Sequence, residues 1–548
     1  MAANLSTMRI RLKTYQRLLL ALLSVVLLSL GWLRVSGLTL FVALVPLLLI
    51  SASYDSSRRH WWAMAGWTSL VMGAWCVATC WWIYYAAAVG IVAATIVQIL
   101  LFGGVVMIYH HFSKRARPIH AYTTLIAGWL WAEHLYLHGE ISFPWLVLGN
   151  GFAGDVWAVQ WYELTGALGG SLWVLIVNVL LFEALVSGKP RRKGYVVATS
   201  VAFALPIVAS LIIGASYTEP EGAPKAKVTV VQPNFDPYTE KYTTPTAQQL
   251  AILTSLINTA PSDVDFVVLP ETVIGDSGDA IWEDRHLESG SVAHLERFRA
   301  QHYPESQLIV GAMTYHRYPD PAKASATART SGSLCYDRYN AALALDGDST
   351  LKVSHKSRLV VGVEKMPYMN LLKPLKKLIV DLGGTTGQLG TDKYRRTFHL
   401  RNSRFPYGVS VAAPICYESV YGDHFGAFSA DGAELMMVIT NDGWWHDTEG
   451  YRQHFSYSRL RAIESRRWVC RAANTGISGF ISPKGEVVQS LGWDKRGTLT
   501  QSVTPLREPT IYAKAGDYIG RIGSYLFLLS LLYYASYRIR RKNHLISK

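Results

Sequence analysis

Charge is what this chain has least of. Only 17% of its 548 residues are Asp, Glu, Lys or Arg, while 50% are hydrophobic, with 18 Trp and 30 Tyr. That composition favours a membrane class, and the length is too great for one ordinary domain. Cysteine is scarce as well, at five residues. Cys76 and Cys80 fall in an apolar run, which leaves Cys335, Cys416 and Cys470 outside it. An odd set of this kind gives no disulfide framework, and at least one of the last three thiols stays unpaired. There is no Cys-x-x-Cys pair, no glycine-rich phosphate-binding loop, no internal repeat and no low-complexity stretch. No metal and no cofactor is therefore expected.

The apolar residues gather at the two ends of the chain. Spans are read near 16–33, 37–53, 61–83, 86–109, 121–138, 166–187, 194–214 and 518–537. Each is close to the roughly 20 residues that cross a hydrocarbon core. Glu133 and His134 inside the fifth mark a helix face turned toward the bundle interior or the membrane interface. Basic residues alternate between the loops: Arg9, Arg11, Lys13 and Arg17 before the first span, Arg58 and Arg59 after the second, Lys114, Arg115 and Arg117 after the fourth. Lys189, Arg191, Arg192 and Lys193 follow the sixth, and Arg538, Arg540, Arg541 and Lys542 the last; Arg34 is the exception. By the positive-inside rule both termini are cytoplasmic and residues 215–517 lie on the far side, the periplasm of a bacterium. This predicts a multi-pass protein of the bacterial inner membrane. The formal charge of +14 is then largely a topology signal, and no nucleic-acid partner is expected. The first span reads as a retained anchor, because a second apolar run follows it at once.

From Lys225 the pattern changes, after a linker at Ser216–Ala226. Ala226–Asn234, Phe266–Leu269, Leu308–Met313, Asn340–Gly347, Val409–Ile415 and Leu435–Thr440 read as strands, some closing in turns. Residues 450–470 have apolar positions at helical spacing, Phe455, Leu460, Ile463 and Val469 among them, and 479–485 reads as a strand plus turn. The predicted organisation is a membrane domain of seven helices at 1–215, an α/β sandwich at 225–510, and an eighth helix with a cytoplasmic tail at 516–548.

Three residues in strand-end contexts carry the chemistry. Cys416 follows the apolar run Val409–Ile415, Glu271 ends Phe266-Val-Val-Leu-Pro-Glu271, and Lys356 follows His355. A cysteine is mostly thiol at neutral pH, and catalysis needs the thiolate. Glu271 suits a general base that takes the proton and later returns it. Lys356 suits a fixed positive charge for the thiolate and for an oxyanion, with the Tyr417 backbone N–H as a second oxyanion donor. Against this stand plain alternatives: a small core cysteine, a turn glutamate, a solvated lysine.

The flanking residues resemble the nitrilase superfamily. They are Leu269-Pro-Glu271, Tyr339-Asn340, Lys356-x-x-Leu-Val-x-x-x-Glu364-x-x-Pro367, Cys416-Tyr-Glu418, Thr440-Asn-Asp-Gly-Trp444 and Arg471-Ala-Ala-Asn474-x-Gly476, with Phe143-Pro-Trp145 in the membrane half. Together with the eight-span anchor they are similar to its membrane-anchored branch, which acylates bacterial lipoproteins. Two departures are Val361-Gly362-Val363, where that branch commonly has Pro-Phe-Gly, and Pro233 in place of a frequent glycine.

The resemblance implies an α-β-β-α sandwich beside a polytopic helical bundle, and a catalytic triad of Glu271, Lys356 and Cys416. Glu364 and Glu418 are implied to be supporting acids, Tyr417 a packing residue with its N–H, and Asn340 a holder of a nearby loop. Trp444 and Trp445 are expected in lipid or loop contact. Tyr368 and Met369, with Met366, Leu371 and Leu372, are expected in a lid or chain-lining wall, and Trp145 in substrate binding. The implied partners are a phospholipid acyl donor, a diacylated lipoprotein acceptor and the membrane, with nothing requiring more than a monomer. The implied activity moves an sn-1 acyl chain through a cysteine thioester to an α-amino group. The alternative is a membrane-anchored nitrilase or amidase hydrolysing a small amide.

Overall fold

The computed structural model describes residues 10–241, 243–275, 278–368, 388–392 and 394–546. The chain forms two units: Met1–Trp81 with Ile91–Ser216 and Asp517–Lys548, and Trp82–Gly90 with Tyr217–Gly516.

The first unit is helical. Helices lie at each of the eight expected stretches, and among the described residues four are long and apolar enough to cross a membrane: Arg58–Cys80, Ala88–Ser113, Tyr162–Val186 and Lys189–Ser216. Thr14–Ser29 and Gly37–Ala52 are apolar but shorter. Pro118–His138 and Tyr518–Ile546 have the length without being among the four. The sixth stretch begins earlier than expected, at Tyr162, with a break at Gly166, whose φ of 64° suits glycine. Polar side chains inside this unit serve the backbone. Asn178 accepts from Leu44 N at 2.8 Å and donates to Leu40 O at 2.8 Å. Glu133 faces the interior, accepting from Leu148 N at 2.8 Å and Trp129 Nε1 at 3.1 Å.

The second unit holds two sheets. The first contains β1 (Ala226–Gln232), β2 (Phe266–Val268), β3 (Ile281–Trp282), β4 (Gln307–Arg317), β5 (Arg329–Ser331), β6 (Leu334–Leu345) and β7 (Lys352–His355). The second runs through β8 (Phe398–Leu400), β9 (Val409–Ala412), β10 (Leu435–Thr440), β11 (Val469–Ala473), β12 (Ser478–Ile481) and β13 (Val487–Leu491); β14 (Gly497–Val503) returns to the first. The orders are β14-β1-β2-β4-β6-β5, with β3 on β4 and β7 on β6, and β13-β12-β11-β10-β9-β8. The central strands β1, β2 and β4 are parallel, as are β9, β10 and β11. Their near-continuous Val, Ile, Leu and Met content suits strands buried on both faces.

The sheets meet through β1 and β11. On the outer side of the first, helices Thr246–Ile257 and Gly290–His302 bury Leu253, Ile257, Val292 and Leu295 against Val267, Leu308 and Val310. On the second, Gly422–Ala430 and Glu449–Ser465 bury Phe425, Phe428, Phe455 and Ala462 against Ala412, Met436 and Val438. Each such large side chain contributes about 1.5–3 kcal/mol on burial.

Two sequence expectations need correction. The strand expected over Val409–Ile415 stops at Ala412. Pro414 has no N–H to extend a ladder, and Ile415 rejoins by a single bridge to Ile439. The helix expected over 450–470 ends at Ser465, because Arg466 turns left-handed at φ 47°. Val469 then opens β11; an apolar residue at helical spacing also satisfies a strand when the chain turns between them.

Candidate active site

Glu271 leaves the first sheet just past β2. Gly311 on β4 makes the close approach possible: a Cβ there would lie 2.2 Å from Pro270 O and 2.6 Å from Glu271 Cα. Lys356 follows β7, its N–H held by Asn340 O at 2.8 Å. Lys356 Nζ donates to Glu271 Oε1 at 3.0 Å and to Glu364 Oε1 at 2.8 Å. Asn340, expected only to hold a loop, donates Nδ2 to the same Glu271 oxygen at 2.7 Å and to Glu364 Oε1 at 3.3 Å. Glu271 Oε2 accepts from the Asn441 backbone N–H at 3.0 Å. Glu364 is no surface ion pair, since its partner Lys356 is 1% exposed.

Burial alone would raise the Glu271 pKa, but Lys356 and the Asn340 hydrogen bond outweigh it and hold the carboxyl below its usual range. Burial disfavours the Lys356 ammonium, yet Glu271, Glu364 and Cys416 together lift its pKa well above the ordinary lysine value. The pair is therefore an ionised carboxylate beside a permanent cation. Lys241, which the sequence reading passed over, adds a second positive influence on Glu271 and bonds Thr272 Oγ1 next door.

Cys416 comes from the second sheet. It stands where β9 gives way to a short 3-10 turn, Cys416–Val420, with a left-handed φ of 50°. A non-glycine residue there costs on the order of 1–3 kcal/mol, so neighbours must hold it. Glu418 does part of this: it accepts from Ile415 N at 2.8 Å, Ser357 N at 2.7 Å and Ser357 Oγ at 3.0 Å. One carboxylate thus ties the cysteine turn to the residue after Lys356. Burial pushes Glu418 up, but His424 and those N–H groups bring its pKa down to about 2. The Cys416 thiol is pushed up by burial first and by Glu271 next, against the lowering effect of Lys356. The buried sulfur is therefore favoured as a thiol, with the charges of Glu271 and Lys356 both bearing on it.

Beneath the turn lies a group the sequence reading gave no role. Asp442, His454 and Arg471 have side chains 0% exposed. Asp442 Oδ2 accepts from Arg471 Nη2 at 2.8 Å and Oδ1 accepts from Thr440 Oγ1 at 2.8 Å, with His454 Nδ1 2.8 Å from Oδ1. Cys416, Asp442 and His454 bring ligand-type atoms within 4.8 Å of one another. Asp442 already has both oxygens engaged, which suits a hydrogen-bond network better than a metal site. His134, His138 and Asp517 form a similar group in the helical unit. Asp442 and Arg471 stand in the quoted motifs, but nothing in Glu449–Ser465, rich in Arg and Glu, marks His454 for the interior.

The aromatic expectations fare unevenly. Trp445 packs on Trp82 at 4.8 Å and on His454 at 5.6 Å between ring centroids, and Trp444 packs on Tyr238 at 5.4 Å. Trp82 donates Nε1 to Gln453 Oε1 at 3.2 Å and fills the space where a Cβ on Gly450 would come within 2.7 Å. Tyr417 is buried against Tyr421. Tyr368 is half exposed with φ 46°. Met369, Leu371 and Leu372 lie outside the described residues. Trp145 belongs to the helical unit, buried, its carbonyl accepting from Trp32 Nε1 at 3.1 Å.

An ionised acid, a buried lysine and a thiol at strand ends of two facing sheets suit acyl transfer at carbonyl carbon. Residues 227–511 match the family described as Carbon-nitrogen hydrolase, and the chain belongs to that family. Residues 19–180 match the Apolipoprotein N-acyltransferase N-terminal domain. The chain is 27% identical to the apolipoprotein N-acyltransferase of Chlorobaculum tepidum, over 88% of this chain and 89% of that protein. It is 28% identical to the one from Gloeobacter violaceus, over 74% and 69%, and 26% identical to the one from Thermotoga maritima, over 73% and 68%.

Proposed function

We propose that the chain is itself an apolipoprotein N-acyltransferase working through a thioester on Cys416. The observation that carries this reading is the buried Lys356, which bridges Glu271 and Glu364 and bears on Cys416, in a chain similar to such enzymes over most of both lengths.

In the first step Glu271 takes the thiol proton while sulfur attacks the sn-1 ester carbonyl of a phospholipid. The S–C bond forms, the ester C–O bond breaks, and Glu271 returns the proton to the lysophospholipid oxygen. Lys356 and the Tyr417 N–H stabilise the tetrahedral oxyanion. In the second step the α-amino group of a diacylglyceryl cysteine attacks the thioester. An amide forms, the C–S bond breaks, and the amine proton passes by way of Glu271 to the departing sulfur. Glu364 and Asn340 fix the lysine and the base, and Glu418 fixes the turn.

Both substrates carry acyl chains, and exposing one to water costs about 0.8 kcal/mol per CH₂. A helical anchor keeps the chemistry at the lipid surface. In this reading all eight helical stretches cross the bacterial inner membrane, both termini are cytoplasmic, and residues 225–510 form the periplasmic catalytic domain of a monomer between membrane parts 1–215 and 516–548. The alternating basic loops support it. Trp444, Trp445, Tyr368, Met369 and Trp145 are assigned to substrate contact.

The test is incubation with a phospholipid carrying a radiolabelled acyl chain. Wild-type protein should take up a hydroxylamine-sensitive label and pass it to a diacylated lipopeptide, while Cys416→Ala stays unlabelled. Unlabelled wild type that cleaves short amides would instead establish the amidase. Alkaline phosphatase fused within 225–510 should be active, and inactive at either terminus.

A further inference from the structure

The strained Cys416 turn needs a holder that the triad does not supply. The Cys416 carbonyl oxygen accepts from Ser419 Oγ at 2.7 Å and lies 3.2 Å from His454 Nε2. A carbonyl oxygen only accepts, so in this contact Nε2 carries the ring proton. Nδ1 lies 2.8 Å from Asp442 Oδ1 and 3.0 Å from Arg471 Nη2, so both side chains bear on the ring. Arg471 in turn is fixed by Asp442 at 2.8 Å. Burying an arginine, an aspartate and a histidine together, all 0% exposed, is no cheaper route to stability than an apolar core. Besides its own members the set reaches the backbone of the nucleophile.

The consequence follows from peptide geometry. In a trans peptide unit the C=O of one residue and the N–H of the next lie in one plane and point in opposite directions. Fixing the Cys416 carbonyl therefore fixes the Tyr417 N–H. We infer that His454, braced by Asp442 and Arg471, is a positioning residue that aims the Tyr417 N–H at the oxyanion by holding the Cys416 carbonyl from below. The inference rests on the acyl-transfer reading above.

Two reactions of the same sulfur separate this role from a merely structural one. Acylation passes through an oxyanion; alkylation by iodoacetamide does not. Full-length enzyme in lipid nanodiscs is given a phospholipid with a fluorescent acyl chain, and single-turnover thioester formation is followed beside the alkylation rate of Cys416. His454→Leu should slow acylation about 100-fold, the loss typical of one oxyanion donor, and leave alkylation within about 3-fold. His454→Gln, whose amide can still donate, should recover about 10-fold of that loss. Equal losses in both reactions, or acylation unchanged in His454→Leu, overturn the proposal. If His454→Leu fails to fold, Ser419→Ala removes the other donor to the same carbonyl and should slow acylation about 10-fold with alkylation kept; unchanged acylation there overturns it. Wild type that forms no thioester defeats the acyl-transfer reading itself, whereas labelled wild type with an equally fast His454→Leu defeats this inference alone.

Discussion

The two sheets contribute unlike things to the site. The first supplies charge: Glu271 after β2, Asn340 on β6 and Lys356 after β7 meet within 3.0 Å. The second supplies shape: a left-handed cysteine held through its carbonyl and through Glu418. A base and a cation tolerate small displacements, because Coulomb forces fall slowly with distance. A nucleophile and an oxyanion donor do not, because attack requires alignment. Placing the backbone strain on the sheet that carries the sulfur, and the Lys356–Glu271–Glu364 cluster on the other, lets each be stabilised by what suits it.

Variants on the two sides should accordingly fail in different ways. The largest effect is expected for Cys416→Ala, with thioester formation down by about 10⁴-fold or more and the thermal midpoint little changed, read by acyl labelling and by melting. Lys356→Met comes next. It leaves Glu271 and Glu364 buried without their cation, so acylation should fall about 1000-fold and stability by about 3–5 kcal/mol in denaturant titration.

Gly311→Ala tests the charge side by geometry alone. Its Cβ would stand 2.2 Å from Pro270 O, so Glu271 must shift; about 10- to 100-fold slower acylation is expected, with alkylation of Cys416 altered less. Glu418→Gln tests the shape side by pH. Its folded pKa of about 2 lies below the ordinary 4.5, so the stability it gives is present above the ordinary value and is lost as pH falls toward the folded one. Melting of the wild type should worsen through that acid window more than melting of the variant. Arg395→Ala breaks only the exposed pair with Asp431; a change within about 0.5 kcal/mol is expected, and a larger one would mean that outer charges matter more than this division allows.

Glu271 and Cys416 stood out in the sequence because each ends an apolar run, whereas Lys356, which follows Ser354-His355, was marked by the resemblance of its flanking residues. Glu364 was marked only by the resemblance of the motif that runs from Lys356 to Pro367. What escaped was whatever depends on contact across long separations. Asn340 turned out to touch Glu271 because β6 runs antiparallel to both β4 and β7. His454 escaped because a helix with Arg452, Arg459, Arg461 and Glu464 reads as solvated, while in the fold Arg461 and Glu464 pair with each other in the interior. All eight apolar stretches became helices, and among the described residues four of them have both the length and the hydropathy that mark a crossing. Glu133 shows how a polar group in such a helix is accommodated, through N–H donors from Leu148 and Trp129.

The segment Trp82–Gly90 folds with the unit that bears Cys416, although the stretches of chain before and after it belong to the other. A soluble fragment cut at Tyr217 would lose the indole that covers Trp445 and Gly450. Its freshly bared aromatic face would promote self-association, and the floor beneath His454 would loosen. Supplying residues 82–90 on a grafted loop is the way to make a truncated enzyme behave.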